Sequence, residues 1–125
     1  MRDLYSNLAT IAALAPAVQG AAVNGATVDL LDMKGVVFAL NTGAIVSSGD
    51  FGAKLQESDN GTDWTDVAAD HVASDAPATL AAASTYRLGY SGFARYARIA
   101  LTKAGGTSIA AGAVAILSPL TRPVA

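Results

Sequence analysis

The chain contains no cysteine and a single histidine, His71, and these two scarcities remove much chemistry at once. Without Cys there is no disulfide, no thiolate metal site and no Cys nucleophile. With one His, a His-based metal cluster is excluded, and a Ser-His-Asp triad would have to be built on His71. The stretch "GYSG" (89–92) fails as a nucleophile elbow, because Phe93 stands where the pattern needs its last Gly. His71 therefore reads as a solvated loop residue. Charge is scarce too: charged residues make up 14% of the chain, against roughly 25% in an average globular protein. The net charge is −2 and the eight Lys and Arg form no run, so no phosphate-binding stripe exists and nucleic acid is not an expected partner. Long hydrophobic runs are also missing. The longest nearly apolar segment, Leu8 to Val18, is well short of the about 20 residues a membrane-spanning helix needs. A cleaved signal peptide is disfavoured by Asp3, Asn7, the lone Arg2 and Pro16.

What is abundant is small and aliphatic. Hydrophobic residues reach 52% with aromatics at only 6%, so Ala, Val, Leu and Ile carry the apolar content. At 125 residues the chain fits one domain. A surface this poor in charge suits a subunit that finishes burying itself on neighbours.

Residues 1–15 place Leu4, Leu8, Ile11 and Ala15 at helical spacing, compatible with a short helix or an extended arm, and Pro16 closes the segment. Beyond it, turn signals recur at Asn24-Gly25, Lys34-Gly35, Thr42-Gly43, Ser48-Gly49, Asn60-Gly61, Ser91-Gly92 and Gly105-Gly106. Between them, strands are expected at 27–33, 35–41, 51–58, 64–68, 84–90, 95–103 and 108–118. Phe51, Ala53 and Leu55 alternate with Lys54 and Gln56, and Tyr86, Leu88 and Tyr90 flank Arg87 in the same way. The Ala-rich stretch 69–83 lacks alternation and reads as a loop. The expected fold is all-β: a single β-sandwich, jelly-roll-like or Ig-like, over 16–125, with residues 1–15 as an N-terminal arm or short helix.

The acidic stretch "LQESDNGTDWTDV" (55–67) raises the question of a site. An EF-hand needs an acid five residues before its Gly and a Glu six after, and here those places hold Gln56 and Val67. A hairpin accounts for the stretch better: Asn60-Gly61 supplies the turn and Trp64 packs back over it. Asp59, Asp63, Asp66, Asp70 and Asp75 read as a solvated rim rather than a glycosidase pair. "KAGGTS" (103–108) lacks the Gly-Lys-Ser/Thr ending of a phosphate cradle and reads as a hairpin turn. No cofactor is expected. The densest basic and aromatic group is Arg87, Arg95 and Arg98 with Tyr86, Tyr90, Phe93 and Tyr96. It is either an interface centre or a set of core rings with solvated Arg heads.

The opening "MRDLYSN", the "APAV" after it, "DFGAKLQESDNGTDWTDVAA", "STYRLGYSGFARYARIALTKAGGTSIAAGAVAIL" and the closing "RP" together resemble small head proteins of tailed bacteriophages and prophages. That resemblance implies a non-enzymatic capsid decoration, or cement, protein on the outside of an icosahedral shell. It would be assembled in the bacterial cytoplasm, with the major capsid protein and its own copies as partners, as a trimer by analogy. Arg2, Leu4, Tyr5, Leu8 and Ile11 would then be contacts of the arm, with Arg87, Arg95 and Arg98 as further capsid or subunit contacts. Deleting 1–15 would abolish capsid binding and leave the sandwich folded. The order "LQESDNGTDWTDV" then "RYARIAL" is also similar to discoidin-type carbohydrate-binding sandwiches, a likeness that implies a β-sandwich more than sugar binding and brings over no sugar-ligand residue. The competing role is a glycan-binding or host-adhesion module on a head fibre or tail, whose glycan binding Trp64→Ala or Arg98→Ala would weaken.

Overall fold

The computed structural model describes residues 8–31, 33–77 and 79–119. These form β1 (Ala9–Gln19), β2 (Val23–Asn24), β3 (Val28–Asp29), β4 (Met33–Val46), β5 (Asp50–Ser58), β6 (Thr65–Asp66), a 3₁₀ turn (Ala69–His71), β7 (Val72–Ser74), β8 (Thr85–Tyr90), β9 (Tyr96–Gly105) and β10 (Ser108–Pro119). One sheet has the order β1-β10-β4-β8-β7 and the other β2-β9-β5-β6, with β3 also on β9. Every pairing is antiparallel. The two sheets pack face to face as a β-sandwich.

Period-2 alternation supplies the core. β4 turns Val36, Phe38, Leu40 and Thr42 inward, β5 turns Phe51 and Leu55, β9 turns Ala97, Ile99 and Leu101, and β10 turns Ile109, Ala111, Ala113, Ala115 and Leu117; all are buried. The small residues have a purpose here. Ala113 lies opposite Leu40 and Ala115 opposite Phe38 on the same inward face, so the alanines leave room for the two large side chains beside them. Each such Leu or Phe contributes about 1.5–3 kcal/mol on burial.

Four expectations change. Residues 9–15 are strand, not helix, and β1 runs straight through Pro16 to Gln19, so the boundary expected after residue 15 falls inside a strand. Pro16 is tolerated because β1 is an edge strand, and because the β1–β10 register shifts between Leu14 and Ala17, leaving no ladder bond there that needs its missing N–H. Gly112 makes room for it: a Cβ at 112 would come within 2.9 Å of the Pro16 Cα. Ala13 and Leu14 are core residues, so removing 1–15 would strip the sandwich rather than spare it.

The turns expected at Lys34-Gly35 and Thr42-Gly43 are also absent, since β4 is continuous over 14 residues. Gly43 instead sits over Ala110, at the β10–β4 register shift. Finally, the stretch 69–83 is more than a loop. It holds the 3₁₀ turn and β7, which covers the free edge of β8, and it sends Leu80, 1% exposed, into the core.

Candidate functional site

The Asp-Asn-Gly turn is closed upon itself. Ser58 Oγ accepts from the N–H of Asn60 (3.2 Å) and of Gly61 (2.9 Å) and donates to Asn60 Oδ1 (3.0 Å). Asn60 Oδ1 also accepts from the N–H of Thr62 (2.8 Å) and Asp63 (2.9 Å), while its Nδ2 donates to Asp63 Oδ2. Gly61 has φ of 77°, the left-handed value that favours glycine at this point. The neighbouring acids diverge: Glu57 meets the Tyr90 hydroxyl, Asp63 holds Asn60, and Asp66 pairs with Lys54. Among the described residues no group of three or more His, Asp or Glu side chains converges.

The three arginines that stand close in sequence are parted by the fold. Arg98, on β9, faces out from the β2-β9-β5-β6 sheet, its guanidinium 4.2 Å from the centre of the Trp64 ring and its Nε 2.8 Å from Gln56 Oε1. Gln56 Nε2 in turn donates to Asp66 Oδ1, and Lys54 Nζ lies 3.1 Å from the same carboxylate. The Gln56 bond first, and then Lys54, hold the Asp66 carboxyl below the usual carboxylate range. Arg87, on β8, projects from the other sheet, where Asp75 Oδ1 accepts its backbone N–H and Asp75 Oδ2 its Nε at 3.3 Å. That backbone N–H is the main cause of the lowered Asp75 pKa. Arg95 precedes β9 and grips Asp29 through Nε and Nη2, lowering the Asp29 pKa. Each arginine thus has its own local partner, and they form no joint site.

Of the aromatics grouped with them, Tyr90 is core, with its hydroxyl donating to Glu57 and accepting from the Ala94 N–H. Burial raises its pKa. Phe93 is the opposite, at 92% exposure in the β8–β9 loop, with only the His71 ring edge-on at 5.6 Å. Leu8 and Ile11, at 36% and 40% exposure, begin the free edge strand. Arg2, Leu4 and Tyr5 lie outside the described residues.

The two outer faces differ in kind. β1, β4 and β10 together contain one charged residue, Lys34. Across their outer face run two rows of paired residues, Thr10–Ile116–Val37–Gly89 and Ala12–Val114–Ala39–Arg87. An apolar groove of about 590 Å³ lies there, walled by Ala12, Leu14, Pro16, Val18, Ala39 and Val114. Composition shows that such a face must exist somewhere, but only the sheet order shows where. The outer face of the other sheet carries Lys54, Gln56, Asp66 and Arg98, bonded to one another.

No family model matches the chain, and no curated protein matches it. Among solved structures, a chain from a structure of infectious bursal disease virus, Gx strain, is similar at 16% identity and a TM-score of 0.48. The match covers 90% of this chain but only 32% of that one, so this chain spans about a third of its neighbour's length. At that score the likeness carries no functional inference.

Proposed function

We propose that the chain is a non-enzymatic virion structural protein, a decoration or cement subunit that binds the outside of a phage shell and stabilises it. The observation that carries this reading is the contrast between the two faces: one sheet presents a polar network closed among its own side chains, the other an almost charge-free surface suited to burial in an assembly. The resemblance of nearly the whole sequence to small phage head proteins supports the same role. The major capsid protein and further copies of this chain are the partners, and a trimer is the oligomer the resemblance favours. The polar carpet of the other sheet stays in solvent.

The test is the copy number in purified virions, measured by quantitative mass spectrometry against the shell subunit. Hundreds of copies in simple ratio to that subunit are expected, and a dozen or fewer would remove the decoration role. The second reading, a glycan-binding module, draws on one observation, the half-buried Trp64–Arg98–Gln56 group with exposed Asp66 at its edge. A glycan array hit lost in Trp64→Ala would favour it over the first.

A further inference from the structure

We propose that Phe93 of one copy seats in the apolar groove on the β1-β10-β4 face of the next copy, joining chains head to tail. This rests on the reading above that this face is buried in an assembly, and it names what covers it.

The knob is exposed and braced. Phe93 is 92% exposed, yet its loop is pinned by Ser91 N–H to the His71 carbonyl (2.8 Å), Ala94 N–H to the Tyr90 hydroxyl (3.0 Å) and Leu30 N–H to the Arg95 carbonyl (2.7 Å). Leu31, 57% exposed in the adjoining β3–β4 turn, widens the apolar tip. With the loop backbone braced, docking has only the side-chain torsions of the ring to fix, so little backbone entropy is lost.

The hole is elsewhere on the molecule. Phe93 lies just beyond Tyr90, which pairs with Val36 near the start of β4, whereas the groove is bounded by residues 39–43 of that strand. At about 3.3 Å per residue the two are separated by about 20 Å along the strands, so a chain cannot fill its own groove. A second copy can. Neither Ser91–Ala94 nor the groove lining carries a charge, Arg95 and Asp29 at the base of the loop are paired with each other, and Lys34, which lines the same hollow as Phe93, is exposed, so its ammonium can stay in solvent at the rim of the contact. Three strands about 4.8 Å apart and about eleven residues long present about 500 Å². A second copy covering that whole face would, with both partners counted, bury at most about 1,000 Å², the lower bound for a specific interface. Because knob and hole differ, the contact is heterologous, and each copy in a closed ring makes it twice.

Sedimentation of the purified full chain tests this, with Phe93→Ser removing the knob and Val18→Glu, at a site 70% exposed, blocking the hole. The wild type is expected to form a closed oligomer, and each variant to weaken the dissociation constant by about 30-fold or more while keeping the urea midpoint of wild-type protein diluted to the monomer. Mixed one to one, the variants should form a heterodimer, because one good knob and one good hole remain. A wild type that is monomeric at about 100 μM, a variant that assembles normally, or a mixture that stays monomeric would each overturn the contact. Hundreds of virion copies of a monomeric wild type would sink this proposal and leave the decoration role standing. A ring absent from virions would do the reverse.

Discussion

Leu80 is the sharpest test of how the long 69–83 connection is held. It is 1% exposed, its N–H donates to the Phe51 carbonyl at 2.8 Å, and the preceding Thr79 hydroxyl bonds Asp50 at 2.9 Å. Thr79, Ala81, Ala82 and Ala83 beside it are exposed, so these neighbours are not placed to fill the space a Leu80→Ala change would leave. The cost comprises lost transfer free energy and an unrelaxed cavity, about 3 kcal/mol within the 2–5 kcal/mol span of such changes. With an unfolding entropy of about 2.1 cal/mol/K per residue, that corresponds to a fall in Tm of about 11 °C for a chain of this length. Urea unfolding followed by Trp64 fluorescence should show the midpoint drop with an unchanged slope. Thr62→Ala, at an exposed site, serves as the control and should stay within about 0.5 kcal/mol. A loss at Leu80 below about 1 kcal/mol would show that the connection does not plug the core.

Deleting residues 1–15 should destabilise the sandwich by several kcal/mol, because Ala13 and Leu14 leave the core with them; calorimetry should record this as a fall in Tm, and an unchanged Tm would refute it. Arg98→Ala should cost about 1 kcal/mol, the worth of a half-buried cation–π pair, and shift the Trp64 emission maximum; unchanged emission would mean that the guanidinium does not lie over the ring. The folded pKa of Asp66 is lowered, so its stabilising contribution is present above its unfolded value of about 3.9 and is lost as pH falls through the folded value. Its side chain is 63% exposed, so the effect is small and salt-screened. Asp66→Asn should flatten the acid limb of the stability curve below about pH 4 and leave stability changes above pH 5 free of pH dependence, and an unaltered acid limb would refute the pairing.

The sequence by itself determined the fold class, through alternation in 51–58, 84–90 and 95–103 and through Asn60-Gly61 and Gly105-Gly106, whose backbone needs are met within a few residues. It also determined that a neutral surface must exist, because 14% charge cannot cover a domain. Tertiary structure decided the rest. Pro16 and Gly35 were misleading as punctuation: Pro16 sits at an irregular point of an edge strand, and Gly35, with open space where a side chain would stand, continues β4, so long-range pairing outweighed local preference. Arg87 and Arg98 are eleven residues apart, yet the chain crosses from one sheet to the other between them, so an apparent cluster became two separate outward faces. Leu80 had no periodicity to announce it, and the groove beside Pro16 draws its walls from three strands far apart in sequence. Local chemistry sets what a segment can be, while the order of strands in a sheet sets what it meets.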